Sequence, residues 1–193
     1  MNDAELLDIA STVKGRMSFP YRERTEDVRA ILKKYGSFDR YSDSKKMRIL
    51  NKMLPDLCNL MGLNAKFVNL EIAAYYLGNI DYAAAYDQNS SIGCTITLCY
   101  HPDRTLEQYV AILLHELGHF FEQTHGIDFD EEYELCTDIM LVYMGFSEIM
   151  KRGYSKHISM ELGAFDTLSV LSIGYISTEQ IDILTYKFST ESY

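Results

Sequence analysis

YVAILLHELGHFFEQTHGIDFDEEYELCTD, residues 109–138, holds His115, Glu116 and His119 and, further on, Glu134 and Asp138. Its segment His115-Glu116-Leu117-Gly118-His119 is an HExxH pattern. On an α-helix, residues four apart share a face one turn from each other, so the two imidazoles stand at the separation one Zn²⁺ ion needs. The glutamate between them can reach a water on that ion. Upstream, Thr105-Leu106-Glu107-Gln108 reads as a capping box that starts a helix near Leu106. Gly126 offers its C-terminal stop. Leu106, Tyr109, Val110, Leu113, Leu114, Leu117, Phe120 and Phe121 give this helix a broad apolar surface, which places the histidines mid-helix within the core layer. Imidazoles and a carboxylate in such a layer are costly unless their polar atoms are partnered.

The third ligand decides the class of site, and two candidates compete. Glu134 and Asp138 share one helical face in the segment 130–138. Glu134 would complete a His₂Glu site, and Asp138 would accept the free N–H of one ligating histidine and fix its tautomer. His125 falls at the last position of the longer pattern HExxHxxGxxH, which needs glycine at 122 where the chain leaves the helix. This sequence has Glu122 there, so the residues favour Glu134 without closing the alternative.

HELGH, then Glu134-x-x-x-Asp138, then Leu141-Val142-Tyr143-Met144-Gly145-Phe146 and Gly174-Tyr175-Ile176-Ser177 ahead of a last helix, resembles the gluzincin-type zinc metallopeptidases. The likeness is to small bacterial HExxH proteins above all, and more distantly to ImmA/IrrE metallopeptidases. It covers about residues 65–190. The resemblance implies Zn²⁺ held by His115, His119 and Glu134, with Glu116 as general base and Asp138 behind a ligand. It implies hydrolysis of a peptide or protein substrate. His157 and Tyr175 are the candidates for a group that stabilises the oxyanion. A different function for the same residues is a catalytically silent, zinc-containing module that binds a partner protein.

The remaining sequence bounds these readings. Of 193 residues 47% are hydrophobic, which suits a single domain with one substantial core, 1–64 forming a helical part and 65–193 the sheet and metal-binding helices. Lys+Arg 18 against Asp+Glu 28 leaves a net charge of −10, which argues against a nucleic-acid grip. No charged-then-apolar leader and no run long enough to span a membrane stands out, so a cytoplasmic protein without a membrane partner is expected. Cys58, Cys94, Cys99 and Cys136 are scattered among apolar residues and read as reduced core thiols.

Residues 3–13 read as a short helix prone to fray. Thr25 reads as the N-cap of a helix to Tyr35, and Ser44 as that of a helix that Pro55 kinks or restarts before Gly62. From Ala65 the period changes to that of strands, at 65–77, 81–87 and 93–100, with a turn at Gly78-Asn79. Residues 145–153 read as a turn region and 161–174 as helical. Ser177-Thr178-Glu179-Gln180 is a second capping box opening a helix through Phe188. The expected fold is therefore α+β and zincin-like, helix-rich, with a small, mostly antiparallel sheet of three or four strands beside the HExxH helix. An edge strand of that sheet would border the metal cleft, open to an extended substrate.

Overall fold

A computed structural model describes residues 1–74, 83–90, 93–129, 133–154 and 174–191. In chain order the elements are α1 (Asp3–Arg16), α2 (Thr25–Tyr35), α3 (Asp43–Met61), β1 (Val68–Ala74), β2 (Ala84–Ser90), β3 (Gly93–Tyr100), α4 (Leu106–His125), α5 (Tyr133–Tyr143), α6 (Ser147–Tyr154) and α7 (Thr178–Thr190). The class is α+β and helix-rich.

The HExxH helix, α4, is the axis of the molecule. The Thr105 hydroxyl accepts the Gln108 N–H at 3.3 Å and the Gln108 side chain accepts the Thr105 N–H at 2.9 Å, which satisfies two of the donors every helix start leaves free. Gly126 closes the other end in the left-handed conformation. From Gln108 to Glu122 every side chain is buried, so α4 is enclosed on all sides and not merely amphipathic. The sheet, α3, α5 and α6 all pack against it.

Among the described residues the sheet has three strands in the order β1-β3-β2. β2 pairs antiparallel with β3, while β1 pairs parallel with β3, so the sheet is mixed and not mostly antiparallel. Two chain reversals from β1 to β3 restore the original direction, and β3 rather than β2 takes the middle place. Strand periodicity alone cannot disclose that choice of neighbour. Along β3, Cys94, Ile96 and Leu98 are buried against the core while Thr95 and Thr97 are half-exposed on the other face.

The first strand starts only at Val68, after a 3₁₀ turn at Ala65–Phe67. The N-cap position of α2 is Arg24, which makes no side-chain cap bond, and Thr25 lies inside the helix with its hydroxyl donating to Glu23 at 2.6 Å. α3 starts after Ser42, not Ser44, and runs as one helix with Pro55 inside it. Residues 145–153 are no turn region: α6 fills most of them, with Ile149 and Met150 buried. Nor is α1 loose. An Asn2/Glu5 capping box starts it, and Leu6, Ala10 and Val13 are fully buried as it packs on α5 and α7. The Gly78-Asn79 turn and all but Gly174 of the helix expected over 161–174 lie outside the described residues. All four cysteines are free and buried. No described helix is long and apolar enough to cross a membrane.

Candidate metal centre

α4 and α5 approach closely because residue 118 has no side chain: a Cβ there would stand 2.7 Å from the Thr137 methyl carbon Cγ2. That proximity lets α5 present Glu134 and Asp138, one turn apart, to the histidines of α4. Glu134 Oε2 lies 2.8 Å from His115 Nε2 and 3.2 Å from His119 Nε2. The imidazoles meet edge to face with centroids 4.8 Å apart. One donor atom from each of His115, His119 and Glu134 can be chosen so that all lie within 4.8 Å of one another. Donors around a tetrahedral ion with bonds of about 2.0–2.1 Å stand about 3.3 Å apart. The three side chains therefore fit a single metal ion, the two histidines buried and Glu134 at the open side.

Each histidine is held from behind. Asp138, fully buried, lies 2.8 Å from His115 Nδ1 through Oδ1. It also accepts the Tyr154 hydroxyl at 2.5 Å and the Tyr175 N–H at 2.6 Å. A carboxylate can only accept, so in the metal-free chain both His115 nitrogens donate, Nδ1 to Asp138 and Nε2 to Glu134, and Asp138 would keep the proton on Nδ1 when Nε2 gives its own up to bind a metal. Behind His119, Thr137 Oγ1 lies 3.2 Å from Nδ1 and donates to Glu122 Oε1 at 2.6 Å. Glu122 is itself buried, with Oε2 3.7 Å from His119 Nδ1.

The electrostatics follow from this packing. Burial alone would lower His115, but the carboxylates of Asp138 and Glu134 outweigh it and raise the ring above its ordinary value. His119 is raised in the same way: burial opposes, and Glu122 and Glu134 prevail. His115 and His119 hold the Glu134 carboxyl well below the usual carboxylate range. Glu116, 7% exposed, is raised chiefly by burial, with the two histidines pulling the other way. Without a metal, protons on the imidazoles supply the positive charge that this acidic cluster calls for.

Two aromatic rings flank the site. Tyr175, 58% exposed, stacks on His115 with centroids 5.7 Å apart, and burial of its phenol together with Glu134 and Asp138 raises its pKa. It is placed by Gly174, whose φ of +91° and contact with the Tyr154 ring, 2.1 Å from a would-be Cβ, both exclude a side chain. Tyr86 of β2 packs 5.7 Å from the His119 ring and donates its hydroxyl to Gln123 Oε1. Among the described residues β2 is thus the edge strand that borders the histidines.

The structure brings His115, Glu116, His119, Glu134, Asp138 and Tyr175 into one place. It does not bring His125 there: α4 runs straight through Glu122, and His125 stacks on Phe121 with Nδ1 2.9 Å from the Phe121 carbonyl. His157 lies outside the described residues. Glu122, Thr137, Tyr154 and Tyr86 were not anticipated. Glu122 had a legible signal, a carboxylate one helical turn past His119, whereas Tyr86 is joined to the site only by the sheet. No family model, curated protein or solved structure matches the chain.

Proposed function

We propose that the protein is a zinc metallopeptidase of the gluzincin type, zincin-like in its pairing of an HExxH helix with a carboxylate from the following helix. The observation that carries this reading is the convergence of His115 Nε2, His119 Nε2 and Glu134 Oε2, with Glu116 buried between the two histidines in sequence. Two imidazoles and one carboxylate form the donor set of catalytic zinc sites, which keep a fourth position open. When bound, the ion supplies a Lewis acid that polarises a carbonyl and lowers the pKa of a water toward about 7.

The rest falls to the chain. Glu116, raised by burial, takes the proton from the attacking water and passes it to the leaving amine as the C–N bond breaks. Asp138 fixes His115 in the tautomer that offers Nε2. Tyr175 keeps its proton at neutral pH and so can donate to the oxyanion from its place over His115. The substrate is a peptide or protein laid along β2, whose outer backbone groups offer hydrogen bonds to an extended chain.

The test compares wild type with Glu116→Gln by metal analysis and by cleavage profiling of a proteome-derived peptide library. The expected result is about one zinc per chain in both and cleavage by wild type alone. Equal cleavage by the variant would remove Glu116 as base. Zinc in both without cleavage by either would favour the silent, partner-binding module.

A further inference from the structure

From the geometry we infer that Glu122, acting through Thr137, is the positioning residue for His119, as Asp138 is for His115. The inference rests on the metal site proposed above and extends it to residues outside the ligand set. A threonine hydroxyl has one proton, and Thr137 gives it to Glu122 Oε1 at 2.6 Å, since a carboxylate has none to return. The Thr137 oxygen facing His119 Nδ1 at 3.2 Å is therefore an acceptor, and His119 Nδ1 must be the donor. The relay runs from His119 Nδ1–H to Thr137 Oγ1–H to Glu122, and it holds the Nδ1 proton in place so that Nε2, which faces Glu134 at 3.2 Å, is the nitrogen free to exchange its proton for a metal.

Burial makes the arrangement specific. Glu122 is 1% exposed, Thr137 fully buried, and Glu122 Oε2 has no hydrogen-bond partner among the described residues. A carboxylate kept there costs stability. As packing alone an apolar residue would serve better at this helix position, whereas a carboxylate one turn from His119 has a use behind a metal ligand. Thr137 also has a second, separable role: its methyl fills the space over Gly118.

Those two roles of Thr137 allow a decisive test on the full chain. Thr137→Val keeps the methyl and breaks the relay; Thr137→Ser keeps the relay and loses the methyl. Zinc affinity is read by competition with a chromophoric chelator, and the Co²⁺ absorption spectrum reports on the site's geometry. Thr137→Val and Glu122→Leu are expected to bind zinc about 10- to 100-fold more weakly than wild type, with an altered Co²⁺ spectrum. Thr137→Ser is expected to stay within about threefold of wild type with an unchanged spectrum, a smaller loss than that range. If methyl packing alone mattered, the order of Val and Ser would reverse, and that order overturns the inference. So does a Thr137→Val chain that binds zinc as tightly as wild type, while leaving the metal centre itself intact. A wild-type chain that takes up no zinc removes the metal centre and this inference with it.

Discussion

Both ring nitrogens of His115 face carboxylates, Glu134 at 2.8 Å and Asp138 at 2.8 Å. In the metal-free chain these raise its pKa from 6.5 to about 10 despite burial. The folded state then binds that proton more tightly than the unfolded state. The resulting stabilisation is fully present below about pH 6.5 and lost as pH rises toward about 10. Chelator-treated protein should therefore melt progressively lower across that window. Zinc-loaded protein should not, since the ion takes the place of the protons and binding tightens as the ligands lose them. Thermal melts at several pH values with chelator or with zinc check this; a metal-free chain whose stability rises over the same window contradicts it. At this scale the pairing of His115 with His119 and of Glu134 with Asp138 was legible in the sequence, because i, i+4 spacing on one helix dictates a shared face. Tyr86 was not, because only strand pairing brings it to His119.

Among the elements, the α4–α5 pair decides whether a site exists at all, and Gly118 sets their separation. An alanine there would gain about 1 kcal/mol in helix propensity. It would also press a methyl to 2.7 Å from Thr137 Cγ2, on a buried β-branched side chain held by its own hydrogen bond to Glu122. Overpacking of this kind costs about 1–3 kcal/mol, so it equals or exceeds the gain. Gly118→Ala is expected to lower stability by up to about 2 kcal/mol. It should weaken zinc binding further, because α5 carries Glu134. Urea unfolding and chelator competition measure the two effects separately; unchanged zinc affinity would mean that α5 does not move as a unit. Helix starts at Thr105 and Ser177 could be read in advance because a capping box is a local, four-residue device. The strand order and the helix at Ser147–Tyr154 could not, since both depend on what the rest of the chain places alongside.

For the molecule as a whole, the N-terminal part is not an appendage. α1 packs on α5 and α7, Lys14 pairs with Glu191 at 2.9 Å, and the Tyr143 hydroxyl at the end of α5 donates to the Phe19 carbonyl at 2.7 Å. The helix bearing Glu134 and Asp138 is thus clamped between α4 and residues that carry no motif. Residues 1–64 carry no motif because a buttress needs only apolar residues of the right size, and many sequences provide them. Leu6, fully buried, should cost about 2–5 kcal/mol when cut to alanine. Zinc at about a hundred times its dissociation constant should recover about 2.7 kcal/mol of this. Melts of Leu6→Ala with and without zinc test both numbers, and a melt unchanged from wild type would contradict the packing of α1 on α5.

The proposed function requires one zinc ion held by His115, His119 and Glu134. X-ray absorption at the zinc edge of the purified, zinc-loaded chain tests it most directly. The predicted spectrum shows two imidazole nitrogens at about 2.0–2.1 Å and oxygen ligands at about 2.0–2.2 Å, with the carboxylate contribution lost in Glu134→Ala. A sulfur shell at about 2.3 Å, or a spectrum unchanged by Glu134→Ala, would contradict it.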